Sequence, residues 1–147
     1  MRFSLVFLLF FAPCAAFGQA SVSYYPFGGS QFIAVSTNPN RLAWVDARVQ
    51  TNTLFGSLST TLAPMINVRR TPNANYYVGA SVRFNALNTL VNDKILEGYA
   101  LHVGVRVAVP YISGLRAAFE LSPYSKANFK SGVFYSHLGL AYQFRKK

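Results

Sequence analysis

The sequence predicts an all-β protein: a transmembrane, antiparallel, up-and-down β-barrel of about eight strands that follows an N-terminal signal peptide. Three observations support this fold class. Apolar and polar residues alternate with a period of two, and clusters of Gly, Pro, Asn and Ser interrupt the alternation. The N-terminus has the order of regions typical of a secretory signal. One face of the third, sixth and seventh predicted strands is uncharged, as a lipid-facing surface requires.

Residues 1–20 have the features of a signal peptide. An early positive charge at Arg2 is followed by an almost entirely apolar run over residues 3–11, and small residues then precede the expected cleavage point. We therefore expect an exported protein whose barrel domain covers residues 21–147.

Two other interpretations of the N-terminus were weighed. A membrane anchor needs about 20 apolar residues, more than the run over residues 3–11 provides. A lipoprotein would carry its lipid on Cys14, but Pro13 stands where a small residue is expected. If Cys14 is removed with the signal, the rest of the chain has no thiol for a disulfide, a nucleophile or a metal site.

Eight strands account for the alternating segments, and the first is the weakest. The predicted strands cover residues 21–27, 31–37, 42–51, 54–70, 76–85, 98–109, 114–122 and 132–144. The longest connections, 86–97 and 123–131, fall at one end of the barrel, and short turns fall at the other. Short periplasmic turns and longer outer loops are typical of outer-membrane barrels. Without the first strand, seven strands would remain.

The predicted inward faces carry charge. In the sixth strand, Leu101 and Val103 alternate with His102 and Arg106, and comparable patterns occur in the third and seventh strands. An eight-stranded barrel has an interior that side chains fill, where unpaired charge is costly. We expect a linked salt-bridge network formed by Asp46, Arg48, Arg83, Arg106, Arg116 and Glu120. Two acids cannot neutralise four arginines one for one, so Gln50, Asn67, Tyr135 and water are expected to contribute.

Lysine and tyrosine are expected at the ends of the barrel. The sequence interpretation assigns Lys94, Lys126 and Lys130 to outer loops, where they are candidate lipopolysaccharide contacts, and no lysine to a strand. Amphipathic rings favour the headgroup level of a membrane. Six tyrosines near strand ends are therefore predicted to form two girdles: Tyr24, Tyr25, Tyr76, Tyr77, Tyr111 and Tyr124.

The C-terminal strand carries a recognisable spacing. His137, Gly139, Tyr142 and Phe144 match a signal in the last strand of Gram-negative outer-membrane barrels, which the chain here resembles. The resemblance implies the barrel-assembly machinery as a partner during insertion. The chain departs from many such proteins by continuing for three residues after Phe144. In chain length and in the spacing of its strands and turns, it is similar to eight-stranded barrels of the OmpA/OmpX type. Its Asn- and Tyr-rich strands resemble uncharacterised barrels of the Bacteroidota.

The sequence offers little evidence of catalysis. Glu120 and His137 are the only acid/base pair considered plausible, and the predicted register puts Glu120 opposite Tyr135. Some eight-stranded outer-membrane enzymes that trim lipid A use a Ser-His-Glu arrangement, but Ser136 points to the face opposite His137. His102 and His137 alone do not make a metal site. We expect no enzyme activity, no cofactor and no metal.

The function expected from these features is structural. The chain carries 14 Lys and Arg against 4 Asp and Glu, and in an exported protein this balance favours anionic lipid headgroups over nucleic acid. We expect a barrel in the cell outer membrane that anchors loops or joins a larger outer-membrane assembly. Two alternatives stay open: a narrow ion channel lined by arginine, and a soluble secreted barrel that binds an apolar ligand.

Overall fold

The computed structural model describes residues 19–51, 59–85, 88 and 94–144, and shows a closed barrel of eight antiparallel strands. The strands are β1 Ser21–Gly28, β2 Phe32–Ser36, β3 Ala43–Gln50, β4 Ser59–Arg70, β5 Ala74–Asn85, β6 Leu96–Ala108, β7 Leu115–Lys126 and β8 Gly132–Gln143. Each strand pairs with the next along the chain, and β8 pairs with β1. The predicted all-β fold, a closed antiparallel barrel of eight strands, is confirmed. Among the described residues, no helix is long and apolar enough to cross a membrane.

Closure of the barrel depends on β1, the strand that the sequence predicts least firmly. Ser21 pairs with Gln143 and Tyr24 with Leu140, and a bulge in β1 then shifts the register before Phe27 pairs with Leu138. The count is therefore eight strands, and seven is excluded. The predicted signal peptide lies almost entirely outside the described residues, as does the start of the predicted fourth strand.

The hairpin of β7 and β8 differs from the prediction. Proline was expected to end β7 near residue 122, but β7 continues to Lys126, and Pro123 pairs with Phe134. A proline is compatible with a strand where its missing N–H leaves one ladder incomplete. The predicted loop 123–131 is consequently shorter, and Lys126 is the last residue of a strand. Glu120 lies opposite His137, two residues from the predicted partner, Tyr135.

The two faces of the wall differ in chemistry, because successive side chains of a strand point to opposite sides. Buried and exposed residues alternate along β1 to β4 and along most of β8. The exposed charged side chains of the described strands lie at strand ends: Arg69, Arg70 and Lys126. The inward face is rich in buried Ser, Asn, His, Arg and acidic residues.

The predicted tyrosine girdles are only partly correct. Tyr24 and Tyr76 are exposed on the outer face, and Tyr111 is fully exposed in a turn. Tyr25 and Tyr77, however, are 0% and 1% exposed and point into the barrel. Their position near strand ends suggested a girdle, but their alternation with Tyr24 and Tyr76 puts them on the inner face.

Candidate functional site: the polar interior of the barrel

Arg48 on β3 lies between the two buried acids of the interior. Its guanidinium binds Glu120 on β7 through two parallel hydrogen bonds, with Nη1 2.6 Å from Oε1 and Nη2 2.8 Å from Oε2. Its Nε also donates to Oδ2 of Asp46 at 3.0 Å. All three residues are buried. This two-pronged geometry is the strong form of the arginine–carboxylate pair, and it links opposite parts of the wall.

Glu120 accepts two further contacts. The hydroxyl of Tyr77 donates to Oε2 at 2.8 Å, and Nδ1 of His102 lies 2.8 Å from Oε1. A carboxylate held by an arginine has only acceptor oxygens, so Nδ1 of His102 carries the proton that bridges them. Nε2 of the same ring lies 2.7 Å from Oγ of Ser81 on β5, and in a neutral imidazole protonated at Nδ1 it is an acceptor.

Arg106 on β6 is held by a charge and two aromatic rings. Its Nη2 lies 3.8 Å from Oδ2 of Asp46, and its guanidinium carbon is 4.5 Å from the ring centre of Trp44 and 5.8 Å from that of Tyr77. Nε and Nη1 of Arg106 make no hydrogen bond with the described residues. Cation–π contacts stabilise a desolvated arginine, so the rings assume part of the role expected of a counter-ion.

The structure thus joins four of the six predicted interior charges: Asp46, Arg48, Arg106 and Glu120. Arg83 lies outside this group, with its guanidinium 4.6 Å from the ring centre of Tyr124.

Arg116, on β7, borders open cavities at the turn end of the barrel, where the short connections, Gln19 and Phe144 lie.

The neutral partners of the network are not the expected ones. Ser36 donates to Asp46 at 2.6 Å, whereas Asn67 binds the carbonyl oxygen of Pro39 at 2.8 Å. The roles assigned to Gln50 and Tyr135 likewise fall to Tyr77 and His102. The sequence places residues on the inner face, but side-chain reach across the lumen decides which of them meet.

Amides form hydrogen bonds between strands and turns at the turn end. Asn40 donates to Gln143 at 3.1 Å, and Asn75 donates to Asn40 at 3.0 Å. These bonds connect the β2–β3 turn with the last strand and with β5. Toward the loop end, where the longer connections lie, Phe32 stacks on Tyr25 with ring centres 4.5 Å apart and meets the edge of His137 at 5.0 Å.

The predicted assembly signal lies on both faces of β8. Tyr142 and Phe144 are half-exposed on the outer face, and their rings meet edge to face at 5.3 Å. His137 is buried on the inner face, and its Nδ1 makes no hydrogen bond within the described part of the chain. Gly139 lies against the backbone of β1.

The three lysines predicted to meet lipopolysaccharide lie at the loop end and are exposed. Lys126 pairs with Gly98 near the start of β6, and Lys94 precedes that strand. Lys130 follows in the β7–β8 connection. All three therefore belong to one side of the same rim.

The structure does not bring Glu120 and His137 together as an acid/base pair. Glu120 and His137 are opposite in register, but the carboxylate of Glu120 is directed to Arg48, Tyr77 and His102. Sequence reasoning placed His102 inside the barrel and missed its partner Ser81. Both are inward residues of neighbouring strands, so an antiparallel pairing of β5 with β6 could have suggested them. Among the described residues, no group of His, Cys, Asp and Glu could hold a metal ion.

Comparisons with known proteins support the architecture alone. No protein-family model and no curated protein matches the chain. A solved structure described as "De novo design of transmembrane beta-barrels" superimposes with a TM-score of 0.60 at 15% sequence identity, covering 86% of this chain and 96% of that one. At this identity the likeness concerns the fold: the chain is similar to a designed barrel in the number, order and closure of its strands.

Proposed function

We propose that the protein is an integral barrel of the Gram-negative outer membrane, with a side-chain-filled interior, and acts as an anchor or subunit of a larger outer-membrane assembly. The observation that carries the membrane part is the apolar outer face. Large exposed side chains surround the barrel, including Ile33, Val45, Ile66, Val103 and Leu140. Soluble proteins rarely leave apolar surface of this extent uncovered, whereas a lipid-facing barrel wall requires it.

The filled interior favours a structural role over conduction. Arg48, Arg106, Trp44, Tyr77 and Tyr25 are all buried in the lumen. Arginines fixed between acids and aromatic rings are poorly placed to pass ions. Barrels of eight strands have room for side chains and little else.

Two segments give the proposal its expected partners. The lysines at the loop end, Lys94, Lys126 and Lys130, are suited to the phosphates of lipopolysaccharide, because cations near an anionic surface are attracted to it. Replacing all three with Gln should weaken lipopolysaccharide binding to the purified protein. The outward Tyr142 and Phe144 at the end of β8 are suited to recognition by the barrel-assembly machinery.

The membrane location is tested by placing one arginine at two depths of the same strand. Leu138 is 50% exposed at the middle of β8, and Val133 is 52% exposed near its loop end. In a bilayer, Leu138→Arg should lower folding stability by about 2–4 kcal/mol, and Val133→Arg by about 0–1 kcal/mol. Urea unfolding in lipid vesicles measures both, with heat-modifiable gel migration as the check of folding.

The soluble alternative makes the opposite prediction. On a water-exposed surface, both arginines would change stability by less than about 0.5 kcal/mol. Equal, small effects of the two variants, together with a protein that stays in solution without detergent, would exclude the membrane location. A partner present at equal stoichiometry in gently solubilised outer membranes would then identify the assembly, and purification of the barrel alone would contradict that role.

A further inference from the structure

The hydrogen bonds of His102 form a chain from a carboxylate to a hydroxyl. Glu120 accepts from Nδ1 at 2.8 Å, and Nε2 faces Oγ of Ser81 at 2.7 Å. When the imidazole is neutral and Nδ1 carries its proton, Nε2 accepts a hydrogen bond from the Ser81 hydroxyl. A serine bonded to a histidine that a carboxylate orients is the arrangement that activates a nucleophile. We propose that Ser81, His102 and Glu120 form a catalytic triad that cleaves carboxylic esters of apolar chains.

The surroundings hold the triad in this state. Arg48 binds both oxygens of Glu120, so the carboxylate has a fixed orientation and no proton to give. Ser122 lies 3.1 Å from Nδ1 and limits the tilt of the imidazole. Ser81, His102 and Glu120 come from three consecutive strands, β5, β6 and β7, so the rigid wall sets their spacing.

A positively charged side chain lines the same interior cavity as the Ser81 hydroxyl. Ser81, Arg83 and His102 line a small interior cavity of about 20 Å³. Nε of Arg83 is buried and makes no hydrogen bond with the described residues. A donor with a full charge at this position can stabilise the oxyanion that forms when a carbonyl carbon is attacked.

Access to Ser81 is through the wall. The ladder between β4 and β5 has no paired residues between Leu62–Val82 and Met65–Gly79, where Pro64 lies. The ladder between β6 and β7 has a similar gap at Pro123, between Ala100–Tyr124 and Val103–Leu121. Proline has no N–H to donate to a ladder. The segments of β5 and β6 that carry Ser81 and His102 therefore have an interrupted ladder with β4 on one side and with β7 on the other.

The outer surface at these gaps is an apolar groove of about 530 Å³. Its lining includes Pro64, Val82, Tyr99, Leu101, Pro123 and Phe129. Ser81 borders both this groove and the interior cavity. The apolar lining of the groove suits an acyl chain. Separation of the strands at the unpaired segment would bring the ester carbonyl of that chain to Oγ of Ser81.

The reaction then follows from the hydrogen bonds. Oγ of Ser81 attacks the carbonyl carbon while Nε2 of His102 takes its proton. The C–O bond to the alcohol breaks, the alcohol leaves with the proton from Nε2, and Ser81 is acylated. A water molecule, deprotonated by Nε2, attacks the acyl group in turn, and the products are a carboxylic acid and free Ser81.

An alkyl fluorophosphonate tests the nucleophile directly, because it forms a stable phosphonyl ester with an activated serine and releases fluoride. The folded protein in detergent should yield one adduct, assigned to Ser81 by peptide mass spectrometry. Ser81→Ala should remove the adduct and reduce hydrolysis of a p-nitrophenyl acyl ester by about 10²-fold or more. Ser23→Ala is the matched control. Ser23 is a buried inward serine of β1, remote from His102, and its hydroxyl makes no hydrogen bond with the residues that the structure describes. This variant should react as wild type.

Heat-modifiable migration shows that each variant is folded, so loss of labelling in Ser81→Ala is attributable to the hydroxyl. Failure of folded wild type to react with the probe, or equal labelling of Ser81→Ala, would overturn the triad. A second arm compares phospholipid vesicles with the soluble ester. Acyl release from vesicles identifies a membrane lipid as the source, and turnover of the soluble ester alone identifies a free ester. Only this arm depends on the proposed membrane location.

Discussion

Arg48 connects the buried charges of the interior, because among the described residues it alone contacts both buried acids at hydrogen-bonding distance. Removing one partner of a buried pair leaves the other charge without compensation. Arg48→Met leaves Asp46 and Glu120 facing an apolar side chain. We expect it to lower the free energy of unfolding by about 3–5 kcal/mol. Urea titration in detergent, followed by fluorescence of Trp44, the only tryptophan, measures the change.

Arg70→Met is the control for that experiment. Arg70 is exposed at the end of β4 and donates to the carbonyl oxygen of Asn40 at 3.0 Å, so the substitution should cost no more than about 1 kcal/mol. The double variant Arg48→Met with Glu120→Gln should recover part of the loss because one unpaired charge is gone. If Arg48→Met and Arg70→Met were equally stable, Arg48 would not be needed to compensate the buried negative charges of the interior.

For single residues, the sequence predicts which face of the wall a side chain lies on better than it predicts which residues that side chain contacts. The period-two pattern correctly places Asp46, Arg48, Arg106 and Glu120 on the inner face. It does not predict the contact of Ser81 with His102, which requires the register of β5 against β6 and the length of an imidazole. The girdle prediction for Tyr77 is wrong because it relied on a position near a strand end and on a ring type common in both girdles and cores, whereas the alternation itself puts Tyr77 on the inner face.

Among the elements, the seam between β1 and β8 closes the barrel, and it contains a glycine for a steric reason. A Cβ at Gly139 would overlap the carbonyl oxygen of Tyr24 and crowd the ring and Cα of Tyr25. Backbone atoms cannot move aside as a flexible side chain can. Gly139→Ala should therefore force the strands apart and lower stability by about 1–3 kcal/mol, the usual range for overpacking.

The measurement is spontaneous refolding of urea-denatured protein into detergent, with the folded fraction read by heat-modifiable migration. Ser136→Ala, an outward change on the same strand, should refold as wild type. If Gly139 mattered solely as part of a signal read by the assembly machinery, Gly139→Ala would also refold normally without that machinery. Normal refolding would thus contradict the steric explanation.

The elements also show where sequence reasoning fails. The existence of all eight strands is predicted from alternation and turn residues, and the weak first strand is present. The predicted end of the seventh strand at residue 122 is wrong, although proline is one of the residues that usually interrupt a strand pattern. Pairing with β8 continues beyond Pro123, and the missing N–H leaves a gap on the β6 side. A single sequence does not show which neighbour of a strand can tolerate a proline.

At the scale of the whole molecule, the closed wall and the side-chain-filled lumen both oppose the flow of ions through the barrel. The lumen is crossed by Arg48 paired with Glu120 and by Arg106 packed on Trp44, and the amides of Asn40 and Gln143 are hydrogen-bonded at the turn end. We expect no steady single-channel conductance from wild-type protein in planar bilayers. Protease protection and heat-modifiable migration of the same preparation verify that the silent protein is inserted. Steady conductance that decreases when Arg106 and Arg116 are replaced by Gln would establish an arginine-lined path and reject the filled-barrel role.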